Sequence, residues 1–186
     1  MLAHKNHAFS LIEMMVVLAL TVILCGISIP LFLIDKTEQT ITHELEKIEV
    51  IMIFMRQQAM AQNQELTLKL EPSINSYSIT KDNHVMRYAL APTIVFGFVP
   101  GTYGPPANPT TPIQQAITFP HQEKCSIVTF FPTGSISSGT LYLKDKNNTK
   151  CILGALTCNV AQVSYIRKYV YKNHIWKLIN EGSNRR

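Results

Sequence analysis

No Cys-x-x-Cys pair occurs in this chain of 186 residues, and His43, His84, His121 and His174 are scattered singly. That spacing excludes the usual zinc sites. Glycine-rich phosphate loops, nucleophile–base motifs and acid pairs in an informative context are missing too. Nothing in the sequence argues for catalysis, a metal or a cofactor. The largest absence is of charge: from Met14 to Ile34 there is no charged side chain. At about 1.5 Å rise per residue, that run spans about 30 Å, the thickness of a bilayer core.

What remains beyond the run has the size of one ordinary domain. The net charge is +5 and the pI about 9.0. Lys5 and Glu13 offset each other, so the part beyond the run carries that charge by itself. A mildly basic balance permits contact with anionic polymers without requiring it. The first eight residues, Met1 to Ala8, are short and polar and contain Lys5. Positive charge ahead of a first apolar segment stays in the cytoplasm, which predicts an N-in, C-out, single-pass topology.

Four readings of the apolar run compete. A secretory signal has a shorter core and a small-residue cleavage site, and Leu31-Phe32-Leu33-Ile34-Asp35 offers none. A lipoprotein signal needs a small residue before its cysteine, whereas Leu24 precedes Cys25. A plain anchor fits the length but leaves Glu13 unexplained. Burying a carboxylate in apolar surroundings costs about 2.5 kcal/mol or more, so such a residue normally has a partner.

The fourth reading supplies one. His7-Ala8-Phe9-Ser10-Leu11-Ile12-Glu13-Met14-Met15-Val16-Val17-Leu18 closely resembles the N-terminal signal of type IV pilins and type II secretion pseudopilins. The resemblance implies cleavage by prepilin peptidase between Ala8 and Phe9, and N-methylation of Phe9. It implies that Glu13 pairs with the Phe9 amine of a neighbouring subunit. It places Pro30 where the family has a helix-weakening proline. Ala8 stands where the family usually has glycine.

Past the run, Ile41, Leu45, Ile48, Met52, Met55 and Ala59 recur at helical spacing. Glu44, Glu46, Lys47, Glu49 and Gln57 occupy the opposite face, which predicts an amphipathic helix to about Gln62. Strands are expected over 65–71, 77–80, 85–90, 93–99, 117–119, 126–131, 140–144, 160–171 and 175–179, joined as an antiparallel meander. Residues 100–112 hold five prolines and read as an irregular connection or a contact loop toward another subunit.

Val128 to Leu143, with Phe131-Pro132-Thr133-Gly134 at its centre, resembles the C-terminal signature of the GspH/FimT-like subgroup of minor pilins and pseudopilins. Gly134 and Gly139 are expected to permit turn dihedrals, with the flanking strands pairing as a hairpin. The Gly-Arg pair common in that subgroup is missing: Ile166-Arg167-Lys168 stands there instead.

Cys25 reads as an inert apolar residue. The preferred disulfide joins Cys151 to Cys158 across a hairpin connection; pairing of Cys125 with either is the alternative. Arg167, Lys168, Lys172 and Lys177 lie near Tyr169, Tyr171 and Trp176. Basic residues among aromatics suit phosphate contact and base stacking, and with the pilin resemblance they give an alternative reading, a DNA-binding minor pilin for natural transformation. A solvated strand face is the favoured alternative.

The sequence therefore points to an α+β, pilin-like chain. Residues 1–8 form a leader, 9–34 a transmembrane and assembly helix, and 35–186 a β-rich domain that includes the amphipathic half of the helix. The resemblance implies a minor subunit of a type II secretion pseudopilus or type IV pilus. Its partners would be other pilins or pseudopilins, prepilin peptidase, the inner-membrane assembly platform and membrane lipid, with nucleic acid less favoured. Its place would be the bacterial inner membrane, with the C-terminal domain in the periplasm or an extracytoplasmic filament.

Overall fold

The computed structural model describes residues 10–32, 36–81, 84–105, 109–122, 124–147, 151–159 and 165–179; from Cys25 to Phe32 only the backbone is described. The chain divides into two compact units, one reaching Lys36 and one starting at Thr37.

In the first unit the apolar run forms α1 (Leu11–Phe32). Its first turn closes on the Ser10 carbonyl, which accepts from Glu13 N at 3.0 Å and Met14 N at 3.2 Å. Pro30 lies within the helical span. Ala8 and Phe9 lie outside the described residues.

The second unit is α+β. Its helix α2 (Lys36–Gln62) buries the six residues that the periodicity singled out, Ile41, Leu45, Ile48, Met52, Met55 and Ala59. Two antiparallel five-stranded sheets face it. The first sheet comprises β1 (Leu66–Glu71), β2 (Ser76–Lys81), β3 (His84–Ala89), β5 (His121–Gln122) and β6 (Cys125–Phe130) in the order β3-β2-β1-β6-β5. The second comprises β4 (Ile94–Phe96), β7 (Gly139–Asp145), β8 (Leu153–Asn159), β9 (Tyr165–Lys172) and β10 (Ile175–Leu178) in the order β10-β9-β8-β7-β4. One continuous core gathers α2 and the inner faces of both sheets, with Leu68, Ile79, Val128 and Phe130 from the first and Leu141, Leu143, Leu156 and Val170 from the second.

Four expectations are corrected here. The strand expected at 117–119 is a single bridge, Ile117 to Leu141. The hairpin around the Phe-Pro-Thr-Gly turn is confined to the antiparallel bridge of Phe130 with Ile136; beyond it β6 pairs with β1, and β7 with β8. Gly134 does adopt the positive φ of +80° that its turn needs. Gly139 instead lies in β7, where a Cβ would sit 2.4 Å from the Phe119 ring, so its role is space. Beyond the turn the chain crosses to the other sheet, where Leu141 and Leu143 find their partners.

The fourth concerns the cysteines. Residues 153–159 form no hairpin connection but the strand β8, buried along both faces and so lacking the alternation that marks a half-exposed strand. Cys158 lies near the far end of β8, and Cys151 lies two residues before its start. At about 3.3 Å per residue the stretch from Leu153 to Cys158 spans about 16 Å, more than the two residues before it can fold back to meet the roughly 7 Å ceiling for disulfide-linked Cα atoms. Cys125, Cys151 and Cys158 are all free thiols.

Candidate functional site

Two features of the chain bear on function: the surface of α1 and the seat of α2. Every described side chain from Ser10 to Leu24 is exposed. Leu11 is 79% exposed, Leu18 63%, Val22 68% and Leu24 64%. Glu13 is the one charge on this helix and lies in its first turn. A helix apolar on all sides is stable in water only if something covers it. Fully burying one Leu, Ile or Val side chain gains about 1.5–3 kcal/mol, so a few of them outweigh the ~2.5 kcal/mol cost of taking one carboxylate along. The helix can therefore enter an apolar phase with Glu13, but to stay ionised there the acid needs a partner such as a cation.

Among the described residues no helix is long and apolar enough to cross a membrane. Only Leu11 to Leu24 of α1 are described with their side chains, and that stretch rises about 21 Å, short of a bilayer core of about 30 Å.

The seat of α2 is ionic as well as apolar. Lys168 Nζ lies 2.5 Å from Glu49 Oε2 with both side chains buried, and Lys172 Nζ lies 2.7 Å from Glu38 Oε2 at a half-buried position. Both pairs tie α2 to β9. On the other flank Glu44 is 1% exposed and accepts from Lys47 at 2.8 Å, while its Oε2 has no hydrogen-bond partner among the described residues. Burial, with the Glu44 and Tyr88 charges added, pushes the Tyr77 phenol up to about 12. Burial, with the Glu49 carboxylate added, pushes the Cys158 thiol up to about 12, so this cysteine is an inert core group.

These pairs decide the fate of the basic cluster. Strand alternation puts Lys168 and Lys172 on the inner face of β9 and Arg167 on its outer face. Lys177 pairs in register with Val170, which places it on the inner side, exposed at the sheet edge. The four candidate DNA contacts are thus split between two faces. Lys168 is buried in an ion pair and unavailable to phosphate. Arg167 is exposed, with its guanidinium 5.6 Å from the Tyr165 ring centroid.

The proline-rich connection is ordered at both described arms. Tyr103 bridges Pro112, Gly104 N donates to the Thr111 carbonyl at 2.8 Å, and Ile113 N to the Thr102 carbonyl at 2.9 Å. Trp176 Nε1 donates to the Tyr103 carbonyl at 2.9 Å. Ile113 packs with Tyr142, Ala155 and Tyr169 in a small second cluster on the outer face of the second sheet. The spacing of prolines gave no sign of that docking.

The N-terminal segment has a known counterpart. Residues 3–29 match the prokaryotic N-terminal methylation motif. That motif is the signal of a type IV pilin-like precursor, processed by prepilin peptidase and assembled with other pilins, and it marks structural subunits rather than enzymes. The match takes in α1 as far as Ile29 and covers Ala8, Phe9 and Glu13. No curated protein and no solved structure matches the chain.

Proposed function

We propose that the chain is a minor pilin or pseudopilin, a structural subunit of a type IV pilus or type II secretion pseudopilus. Prepilin peptidase cuts between Ala8 and Phe9, and the new Phe9 amine is methylated. The subunit waits in the bacterial inner membrane as a single-pass protein with a cytoplasmic N-terminus. Its C-terminal domain lies in the periplasm. The assembly platform then transfers α1 from lipid into the filament bundle.

The observation that carries this reading is an apolar helix, exposed on all its described sides, with one acid in its first turn. In lipid the apolar side chains are covered and Glu13 is not. In a bundle of such helices the Phe9 amine of a neighbour meets Glu13, so each subunit is held in one register. Pro30 supports the same reading, since a helix lacking one backbone bond can bend as it packs.

The test is the mass of the mature chain together with the Glu13→Ala variant. The expected mass lacks residues 1–8 and gains one methyl group. Glu13→Ala is expected to remain membrane-bound and to fail to enter filaments. An intact Met1 on the native chain, or normal assembly of Glu13→Ala, overturns the reading. Nucleic-acid capture draws less support, because two of its four candidate cations hold α2 in place.

A further inference from the structure

The turns at one end of the second unit are held together by pairings already set. Glu38, in the first turn of α2, holds Lys172 at the close of β9. Strand register carries that row across the second sheet: Tyr171 stands opposite Leu153, Leu153 opposite Lys144, and Asp145 opposite Ile94. The Asn75 side chain donates to the Ile94 carbonyl and accepts from Phe96 N at 3.0 Å, which joins the turn after β1 to the same row. Leu70 stands opposite Ser126, so Lys124, just ahead of β6, belongs to this end too.

Two properties of this end point to a partner. It exposes two large aliphatic side chains at turns, Ile74 at 52% and Ile175 at 59%. Turn residues are ordinarily polar or small. A single exposed isoleucine would mean little, but here two share one end with an excess of cations. Lys172 is taken by Glu38, and Arg87 by Glu71. With those pairs set aside, the described charges of this end are Lys36, Lys124, Lys144 and Lys146 against Asp145. The balance is positive, so the partner's charge is negative.

We propose that this end rests on the anionic lipid headgroups of the bilayer that holds α1 before assembly. The proposal rests on the membrane-anchored reading above. Asp35 and Lys36 are the first charges after the apolar run, so the chain leaves the bilayer there. From Phe32, the last residue of α1, to Lys36, the first of α2, is four residues, which span at most about 14 Å in any conformation. The end of the second unit where α2 starts is therefore tethered close to the surface that α1 enters. A tethered contact needs little affinity of its own, because its effective concentration is high. The lysines supply the attraction to anionic headgroups, and the two isoleucines enter the boundary between headgroups and acyl chains. A second protein fits less well: two separated isoleucines make no continuous apolar patch of the size a stable interface buries. The contact is broken when α1 leaves lipid for the filament.

The test is lysine acylation by a membrane-impermeant ester, read by peptide mass, on the full-length chain in two kinds of vesicle. One is phosphatidylcholine alone and the other is phosphatidylcholine mixed with phosphatidylglycerol. The exposed Lys124 and Lys146 are expected to react at least threefold more slowly in the anionic vesicles. Molar salt should restore their rates, since it shortens the screening length to about 3 Å. Lys47, about 16 Å further along α2 than Lys36, should react alike in both. Ile74→Asn with Ile175→Asn should lessen the protection with an unchanged thermal midpoint. Equal rates for Lys124 and Lys146 in the two vesicles overturn the proposal, as does equal slowing of Lys47 or full protection in the double variant. A chain that floats with neither vesicle overturns the anchored reading and this proposal with it.

Discussion

Glu49 of α2 and Lys168 of β9 form an ion pair of 2.5 Å whose two side chains are 8% and 7% exposed. The pair joins the helix to the strand at a buried point. A buried pair of this kind adds little over an apolar replacement, but half a pair is costly because it strands a charge. Glu49→Gln is therefore expected to destabilise the folded chain by about 3–5 kcal/mol, and Glu49→Leu with Lys168→Met to lie within about 1–2 kcal/mol of the parent. Urea unfolding of the single and double variants reads this directly. A double-variant loss equal to the sum of the two single losses would show that the pair is not coupled.

Gly154 of β8 is a point of close approach between the second sheet and α2. A Cβ there would lie 2.4 Å from Ile41 Cγ2 and 2.9 Å from Leu45 Cδ1. Both neighbours are fully buried and have little room to move. Gly154→Ala should cost about 1–3 kcal/mol by overpacking. Combining it with Ile41→Val should recover part of that loss. A parent-like melting temperature for Gly154→Ala would contradict the packing described.

Stability should fall at alkaline pH for an identifiable reason. The unfolded Cys158 thiol and Tyr77 phenol lose their protons near pH 9.0 and 10.0, while the fold holds both protons to about pH 12. Between those limits the unfolded chain binds fewer protons than the folded one. The stability from these groups is fully present below pH 9 and is lost as pH rises toward 12, at up to about 1.4 kcal/mol per pH unit for each group. Urea midpoints measured from pH 8 upward should decline, and Tyr77→Phe and Cys158→Val should each flatten the decline. An identical slope in both variants would rule out this cause.

The thiols should differ in access rather than in pairing. Cys151 is exposed and Cys158 is buried. A maleimide probe is expected to label Cys151 in the native chain within minutes and Cys158 only on unfolding. Peptide mapping without reductant should recover both as separate thiols. A linked Cys151–Cys158 peptide would mean that β8 is not one continuous strand.

The helices were the most legible part of the chain, and the reason is local. The six-residue apolar series from Ile41 to Ala59 became the buried face of α2, because a period of three to four residues admits no other backbone. Strands β1, β2, β3 and β6 followed from alternation and turn residues in the same way. Alternation failed at β8, which is covered on both sides: by α2 beneath Gly154 and by Tyr142 and Tyr169 around Ala155. Without alternation, Leu153-Gly154-Ala155-Leu156-Thr157 reads equally well as a connection. The error then spread to the cysteines, since a hairpin would bring Cys151 and Cys158 together and a strand holds them apart.

The basic cluster shows the same limit in electrostatics. Arg167 and Lys168 are neighbours in sequence and point to opposite faces, one to solvent and one to Glu49. Sequence reports that cations are close along the chain; only the fold reports which carboxylates have already taken them.

The sequence by itself determined that residues 3–29 carry a methylation signal, that one acid interrupts an apolar helix, and that a second helix presents an apolar face. Each of these lies within a single segment and depends on short-range order. The tertiary structure alone decided which strands share a sheet, which lysines are spent on α2, and that Ile74 and Ile175 share one end of the second unit. Those facts depend on register between segments far apart in the chain, where a shift of one residue turns every side chain to the other face.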